Sequence, residues 1–246
     1  MAFSSDQLER HKRHILLKEV GGPGVQKLRE ARVSIIGAGA LGGPCALYLA
    51  AAGVGEIELW DDDAVDRSNL QRQVQFADVD IGRSKVEVLA QRLTALNPEV
   101  VVHTQPDRFS ASAAPTGSLL IDATDNFETR FALNQMAHET GRYLVSGAAS
   151  RWSGQVAVYA SGVIADAPCY QCFVPDLPPA AEACDEVGVV GALTGMIGSH
   201  MALEAIKLIV DAGKPLIGRL LIVDGLTSES RILKLRPNPD CSVCGG

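Results

Sequence analysis

Positive charge is in deficit: 22 Lys+Arg against 29 Asp+Glu leave a formal net charge of −7 over 246 residues. Gripping nucleic-acid phosphates takes a basic field, so nucleic acid is not expected as the main ligand. No secretory leader is expected either, because MAFSSDQLERHKRH brings in charges where a leader needs an apolar run. A cytoplasmic protein is expected. The uncharged stretch Val187–Leu203 contains Gly188, Gly191, Gly195, Gly198, Ser199 and His200, and it falls short of the roughly 20 apolar residues that span a bilayer. No membrane segment is expected, and no internal repeat or low-complexity tract is present. In a reducing compartment, disulfides are the weaker explanation for the six cysteines and metal or thiol chemistry the stronger one.

What is there belongs to a folded protein. Residues are 47% hydrophobic and 21% charged, and the length suits one large α/β domain or one domain with appendages. Helical spacing over 5–18 stops at GGPG (21–24), and a short helix over 25–30 leads into the continuous apolar run Val33–Ile36. Such a run fits a strand covered on both faces of a parallel sheet. A helix to Ala52, strand 56–60, helix 83–96, strands 100–103 and 118–121, helix 127–140 and strand 143–146 follow. This alternation predicts a Rossmann-like, doubly wound, mostly parallel α/β sheet. Beyond Arg151 come a strand at QVAVYA, a Cys pair, a long Pro/Ala/acid loop over 174–186, helix 191–212 and strands 220–223 and 231–235. This C-terminal part reads as a mixed-strand extension. Small residues at 191, 195, 198, 202 and 205 make one stripe on helix 191–212 where another backbone can approach, and internal packing is the expected use.

Gly37-Ala38-Gly39-Ala40-Leu41-Gly42 lies between a predicted strand and a predicted helix, the setting of the dinucleotide fingerprint. Glycines allow a tight turn, and the helix N-terminus offers N–H donors to an anion. Asp61 ends the second strand and can accept from ribose hydroxyls. These features indicate an adenosine nucleotide without separating NAD from ATP. The segment 61–73 and then Gly82-Arg83-Ser84-Lys85 place cations just beyond the turn. A nicotinamide enzyme needs an apolar slot, whereas Arg72 and Lys85 suit a triphosphate and the charge that builds up as pyrophosphate leaves. Arg67 and Arg83 fit ordinary surface pairing.

Cys169 and Cys172 form one C-x-x-C pair and Cys241 and Cys244 another. Together they make a tetrahedral thiolate site, most simply for a structural Zn²⁺ that anchors the C-terminal tail. Cys45, after the glycine turn, reads as a packing residue.

RHKRHILL (10–17), GAGALGG (37–43), AAGVGEIELWDDD (51–63), SNLQRQ (68–73), GRSKVE (82–87), DATDN (122–126), CYQC (169–172) and CSVC (241–244) stand in the order found in the ThiF/MoeB family, which the sequence resembles over essentially its whole length. That resemblance implies one adenylation domain over 1–246, with a nucleotide-binding part over 1–150 and a carrier-docking, zinc-binding part over 151–246. It implies an ATP- and Mg²⁺-dependent homodimer that adenylates the C-terminal glycine of a small ubiquitin-like sulfur carrier ending in Gly-Gly, for thiamin or molybdopterin synthesis. Gly37, Gly39, Gly42, Asp61, Asn69, Arg72, Lys85 and Asp125 would then hold ATP, with Asp61 on the ribose, Asn69, Arg72 and Lys85 on phosphates, and Asp125 on Mg²⁺. Arg13 would reach the ATP of the other subunit. Cys169, Cys172, Cys241 and Cys244 would hold zinc. Some relatives use a cysteine at the place of Cys184 for a covalent link to the carrier, but Asp185 and Glu186 would raise that thiol's pKa and disfavour a thiolate. A separate protein would donate sulfur. Three rival readings are a tRNA carbamoyl-adenosine dehydratase of the same superfamily, an NAD-dependent oxidoreductase, and an inactive scaffold half.

Overall fold

The computed structural model describes residues 3–112, 114–176 and 187–245. Strands β1 (Arg32–Ile36), β2 (Glu56–Trp60), β3 (Val101–Gln105), β4 (Leu119–Asp122), β5 (Tyr143–Ser150), β6 (Ser153–Tyr159), β7 (Arg219–Asp224) and β8 (Glu229–Lys234) form one sheet, ordered β3-β2-β1-β4-β5-β6-β7-β8. Pairing is parallel from β3 through β5 and antiparallel from β5 through β8. The expected doubly wound sheet with a mixed C-terminal extension is therefore present. Its order turns back between β1 and β4, and such a switch point opens a crevice at the carboxyl ends of the strands.

Successive side chains of a strand point to opposite faces, and here both faces are covered. Val33, Ile35, Ile121, Val145, Val156, Val158 and Leu221 join one buried cluster, while Ile36, Leu120, Leu144, Ala157, Tyr159 and Leu220 join another. Fully burying each Leu or Ile contributes roughly 1.5–3 kcal/mol. Helices α2 (Gly21–Glu30), α3 (Gly42–Ala52), α4 (Lys85–Leu96) and α7 (Gly191–Val210) supply the first cluster, and α5 (Phe127–Glu139) and α6 (Tyr170–Phe173) the second.

Two helical segments depart from the pattern read in the sequence. GGPG does not terminate a helix but forms the first turn of α2, since α1 (Ser5–Ile15) ends earlier. Proline costs little there, because the first N–H groups of a helix have no intrahelical partner. In α7, a Cβ on Gly198 would come within 2.4 Å of the Leu41 carbonyl oxygen, so the small-residue stripe lets α7 press against the start of α3. Internal packing is its use at that point. By length and apolarity alone α7 could cross a membrane, but half of its most apolar stretch is buried inside the molecule. The longer uncharged run 33–55 is divided among β1, the glycine turn and α3.

Helix α1 docks through His11, which is 2% exposed and leaves Nε2 without a partner. Its ring fills the space beside Gly53 (φ +94°), where a Cβ would lie 2.5 Å from Cε1. Burial first, then His14, Arg10 and Arg29, push its pKa below the usual value against the opposing pull of Glu99. His200 is lowered as well, by burial and Lys207 against Glu204. The unfolded chain thus takes up these protons at a higher pH than the folded one. Stability is expected to be level above about pH 7 and to fall as pH drops below about 6.5. Melting curves from pH 5 to 8 check this, and His11→Leu should flatten the acid limb; an unchanged limb in that variant would refute the assignment.

Candidate functional site

The turn after β1 is shaped by two glycines and left open at a third. Gly37 has φ +95°, and a Cβ on Gly42 would lie 1.8 Å from the Gly37 carbonyl oxygen, so neither tolerates a side chain. At Gly39 a Cβ would have Gln73 Nε2 as its nearest neighbour, 3.5 Å away, an ordinary contact. The protein itself therefore does not demand glycine at 39; a ligand approaching the backbone from the cleft would. Among the described residues, the N–H groups of Gly39, Ala40, Leu41 and Gly42 have no hydrogen-bond partner. They open α3, where the helix dipole favours an anion.

Asp61, following β2, ties this turn to the next strand. Its Oδ2 accepts from Ala38 N at 2.7 Å and its Oδ1 from Asp63 N at 3.0 Å. Burial raises its pKa, opposed by Lys85 and by these two backbone donors. Lys85, the first residue of α4, is 5% exposed and donates to Asp63 Oδ2 at 2.6 Å. Backbone bonds Lys85 N to Asp63 O and Val65 N to Arg83 O fasten the 61–65 loop to the start of α4. Arg67 pairs with Asp78 on the surface as expected, whereas Arg83 departs from that reading: it pairs with Asp80, a buried carboxylate that also accepts from Arg92 and Ala77 N.

A third wall follows β4. Asp122 is 1% exposed, with Oδ1 accepting from Thr124 N and Oγ1 and Oδ2 accepting from Ser146 Oγ. Its carboxylate is fully engaged in holding the turn. Arg130, 7% exposed on the inner face of α5, donates to the carbonyls of Thr124 and Gly147. Asn126 caps α5 by accepting from Thr129 N. Asp125 is thereby presented, exposed, at the mouth.

These walls enclose a cleft of about 410 Å³. Of the residues singled out in the sequence, Gly37, Gly39, Asp61, Arg72, Lys85 and Asp125 border it. Gly42 lies behind the turn as a packing glycine. Asn69 ends the 3₁₀ turn Arg67–Asn69 with its amide 3.4 Å from Ser68 Oγ and does not border the cleft, and neither does Arg13, exposed on α1. Its neighbour Arg10 is engaged with the Leu96 carbonyl at 3.1 Å. Sequence reasoning missed Trp60, Gln73, Arg108, Phe109 and Arg130, which also line the cleft, Trp60 and Phe109 meeting edge to face at 6.0 Å. Gln73 is 5% exposed and has an unpartnered Oε1. Cys184 lies outside the described residues.

The four paired cysteines come together. Sγ–Sγ distances are 3.5 Å for Cys169–Cys241, 3.4 Å for Cys172–Cys244 and 4.0 Å for Cys169–Cys172. A tetrahedron of thiolates at about 2.3 Å from Zn²⁺ has edges of about 3.8 Å, so the set fits the metal. No disulfide joins any of them. Burial raises the Cys169 thiol to about 11; at Cys241 burial is outweighed by backbone N–H donors from Cys244 and Val243, and the thiol falls to about 7. Asn134 Oδ1 accepts from Tyr170 N, and Gly245 N donates back to Cys241 O, so both sides of the knuckle are fastened. Cys45 is fully buried in the core as expected.

Sequence and fold both have known relatives. The ThiF family profile matches residues 11–243. The SAMP-activating enzyme E1 of Haloferax volcanii is 42% identical over 251 residues, covering 100% of this chain and 92% of that protein. The sulfur carrier protein adenylyltransferase of Thermus thermophilus is 42% identical over 253 residues, covering 100% and 93%. In fold, the chain is similar to the crystal structure of E. coli MccB with ATP, with a TM-score of 0.83 at 21% identity, covering 99% of this chain and 75% of that one.

Proposed function

The chain belongs to the ThiF family, and from that premise we propose that it is an ATP-dependent adenylyltransferase activating the C-terminal glycine of a small ubiquitin-like sulfur carrier, for thiamin or molybdopterin synthesis. One observation carries the reading: Arg72, Lys85 and Arg108 converge with Asp61 and Asp125 on a cleft roofed by the open N–H groups of the glycine turn. A carboxylate oxygen of the carrier attacks the α-phosphorus of ATP, the bond from that phosphorus to the bridging oxygen breaks, and pyrophosphate leaves with the electron pair. Both reactants are anions, so cations must screen and align them. The nucleophile is already ionised at neutral pH, and among the described residues lining the cleft there is no histidine to act as base.

In this reading Asp61 accepts from the ribose, Trp60 and Phe109 wall the base, and Arg72 and Lys85 meet the phosphates. Asn69, one turn before Arg72 but outside the cleft lining, would reach a phosphate only if the 3₁₀ turn moved inward. Asp125 would hold Mg²⁺, whose charge lowers that of the departing pyrophosphate. Cys169, Cys172, Cys241 and Cys244 would hold Zn²⁺ with no open position, a structural role. Residues 1–150 serve the nucleotide and 151–246 the carrier and zinc, with sulfur supplied by a separate protein. Exposed Tyr48 on α3 and Met196 and Leu203 on α7 offer apolar surface to a second copy. The tRNA dehydratase and oxidoreductase readings are not favoured beside relatives named for carrier activation.

ATP–pyrophosphate exchange dependent on a Gly-Gly-ended carrier tests the reading, and no exchange with measurable NAD binding would sink it. Arg13→Ala should slow that exchange by about 10²-fold. Mixing Arg13→Ala with Lys85→Ala chains should then restore up to about a quarter of wild-type activity, through mixed dimers with one complete site. If mixing restores nothing, Arg13 does not act across subunits.

A further inference from the structure

We infer that Gln75 is a positioning residue that aims the nucleotide turn, a role that rests on the turn holding ATP phosphates as proposed above. Its Nε2 donates at 3.0 Å to the carbonyl oxygens of both Ala38 and Gly39. The side chain is 6% exposed, so water does not compete for those carbonyls. In a trans peptide the C=O and the following N–H point in opposite directions, and the chain contains no cis peptide among the described residues. Holding the carbonyls of Ala38 and Gly39 inward therefore turns the N–H groups of Gly39 and Ala40 outward. Both residues border the cleft, and both N–H groups lack a protein partner. The buried amide is thus the one donor that holds the Ala38 carbonyl and so aims the Gly39 N–H, and it shares the Gly39 carbonyl with Gly43 N, which donates to it at 3.0 Å, in aiming that of Ala40.

Two further observations fit this role. A Cβ on Gly43 would lie 2.2 Å from Gln75 Cδ and 2.3 Å from Nε2, so glycine at 43 leaves the space that the amide occupies. The three atoms nearest that Cβ all belong to the Gln75 amide, so alanine at 43 would displace the amide first. The amide also leaves Oε1 buried and unpartnered. Reversing it would set that oxygen against two carbonyl oxygens. Gln75 accepts the cost of an orphaned acceptor in order to donate twice.

Binding of a non-hydrolysable ATP analogue to the full chain, measured by calorimetry beside melting temperature, tests the inference. Gln75→Leu and Gly43→Ala should each weaken binding about tenfold, with melting within about 3 °C of wild type. Gln75→Glu should bind poorly at pH 8 and recover toward wild type as pH falls, because a protonated carboxyl can donate and a carboxylate cannot. Wild-type affinity in Gln75→Leu, or a pH-independent Gln75→Glu, would overturn the role, as would affinity lost only in proportion to melting temperature. A wild-type chain that fails to bind the analogue would overturn the nucleotide reading itself and this role with it.

Discussion

Alanine at Lys85 is expected to lower carrier-dependent ATP–pyrophosphate exchange by about 10²–10³-fold, the usual effect of deleting a buried electrostatic stabiliser. Lys85 is the buried lysine of the cleft, and its Nζ sits 2.6 Å from Asp63 beside Asp61 and Asp62. Without it, three neighbouring carboxylates face an anionic triphosphate. Asp61 also loses the charge that opposes its burial, so its pKa should climb further and the residual activity should fall more steeply on the acid side. Arg67→Ala is the contrast. Its pair with Asp78 at 2.7 Å joins side chains that are 76% and 68% exposed, and such pairs are worth about 0–1 kcal/mol. Exchange in Arg67→Ala should stay within about twofold of wild type. Steady-state exchange on both variants across pH 6 to 9 decides the matter, and equal losses in the two would remove Lys85 from the chemistry.

Replacing Cys169 with serine is expected to release the metal and lower the melting temperature by about 4–20 °C. A native cross-link contributes roughly 2–5 kcal/mol, and each kcal/mol moves the midpoint of a chain this size by about 2–4 °C. Cys169 is fully buried, and it bridges α6 to the tail through Cys241 at 3.5 Å. One zinc per chain in the wild type and none in the variant is the expected metal content. Co²⁺ in its place should give the spectrum of a tetrahedral thiolate site. A chain that purifies without zinc and melts as before would refute the site.

Features set by spacing along the chain were legible in the sequence. Val33–Ile36, the glycine turn and Asp61 follow one another across adjoining β1 and β2, and each C-x-x-C pair brings two ligands together locally. Partners made by long-range packing were not legible. Arg130 looks like a surface cation of a helix until α5 turns it onto the Thr124 carbonyl. Gln73-Val74-Gln75 is inverted in polarity, for both glutamines are buried while Val74 is 73% exposed. No hydrophobic periodicity points to such a segment, because its burial serves the glycine turn rather than the core. GGPG misled for another reason, since Pro and Gly punctuate helices at both ends and only the position of α1 decides which.

The four thiols of the knuckle are made at two well-separated times during synthesis. Cys169 and Cys241 stand 72 positions apart, and α7, β7 and β8 are all synthesised between them. A growing chain can pair β1 through β5 and shape the glycine turn while half of the thiol set has yet to be made. Tyr170, seated between the first two thiols, meets α5 through Phe131 at 5.8 Å and Asn134 Oδ1, and so ties the knuckle to the helix that carries Arg130. A zinc ion held by all four thiols would therefore be captured only after the C-terminal strands are made, and would fasten them to the nucleotide fold.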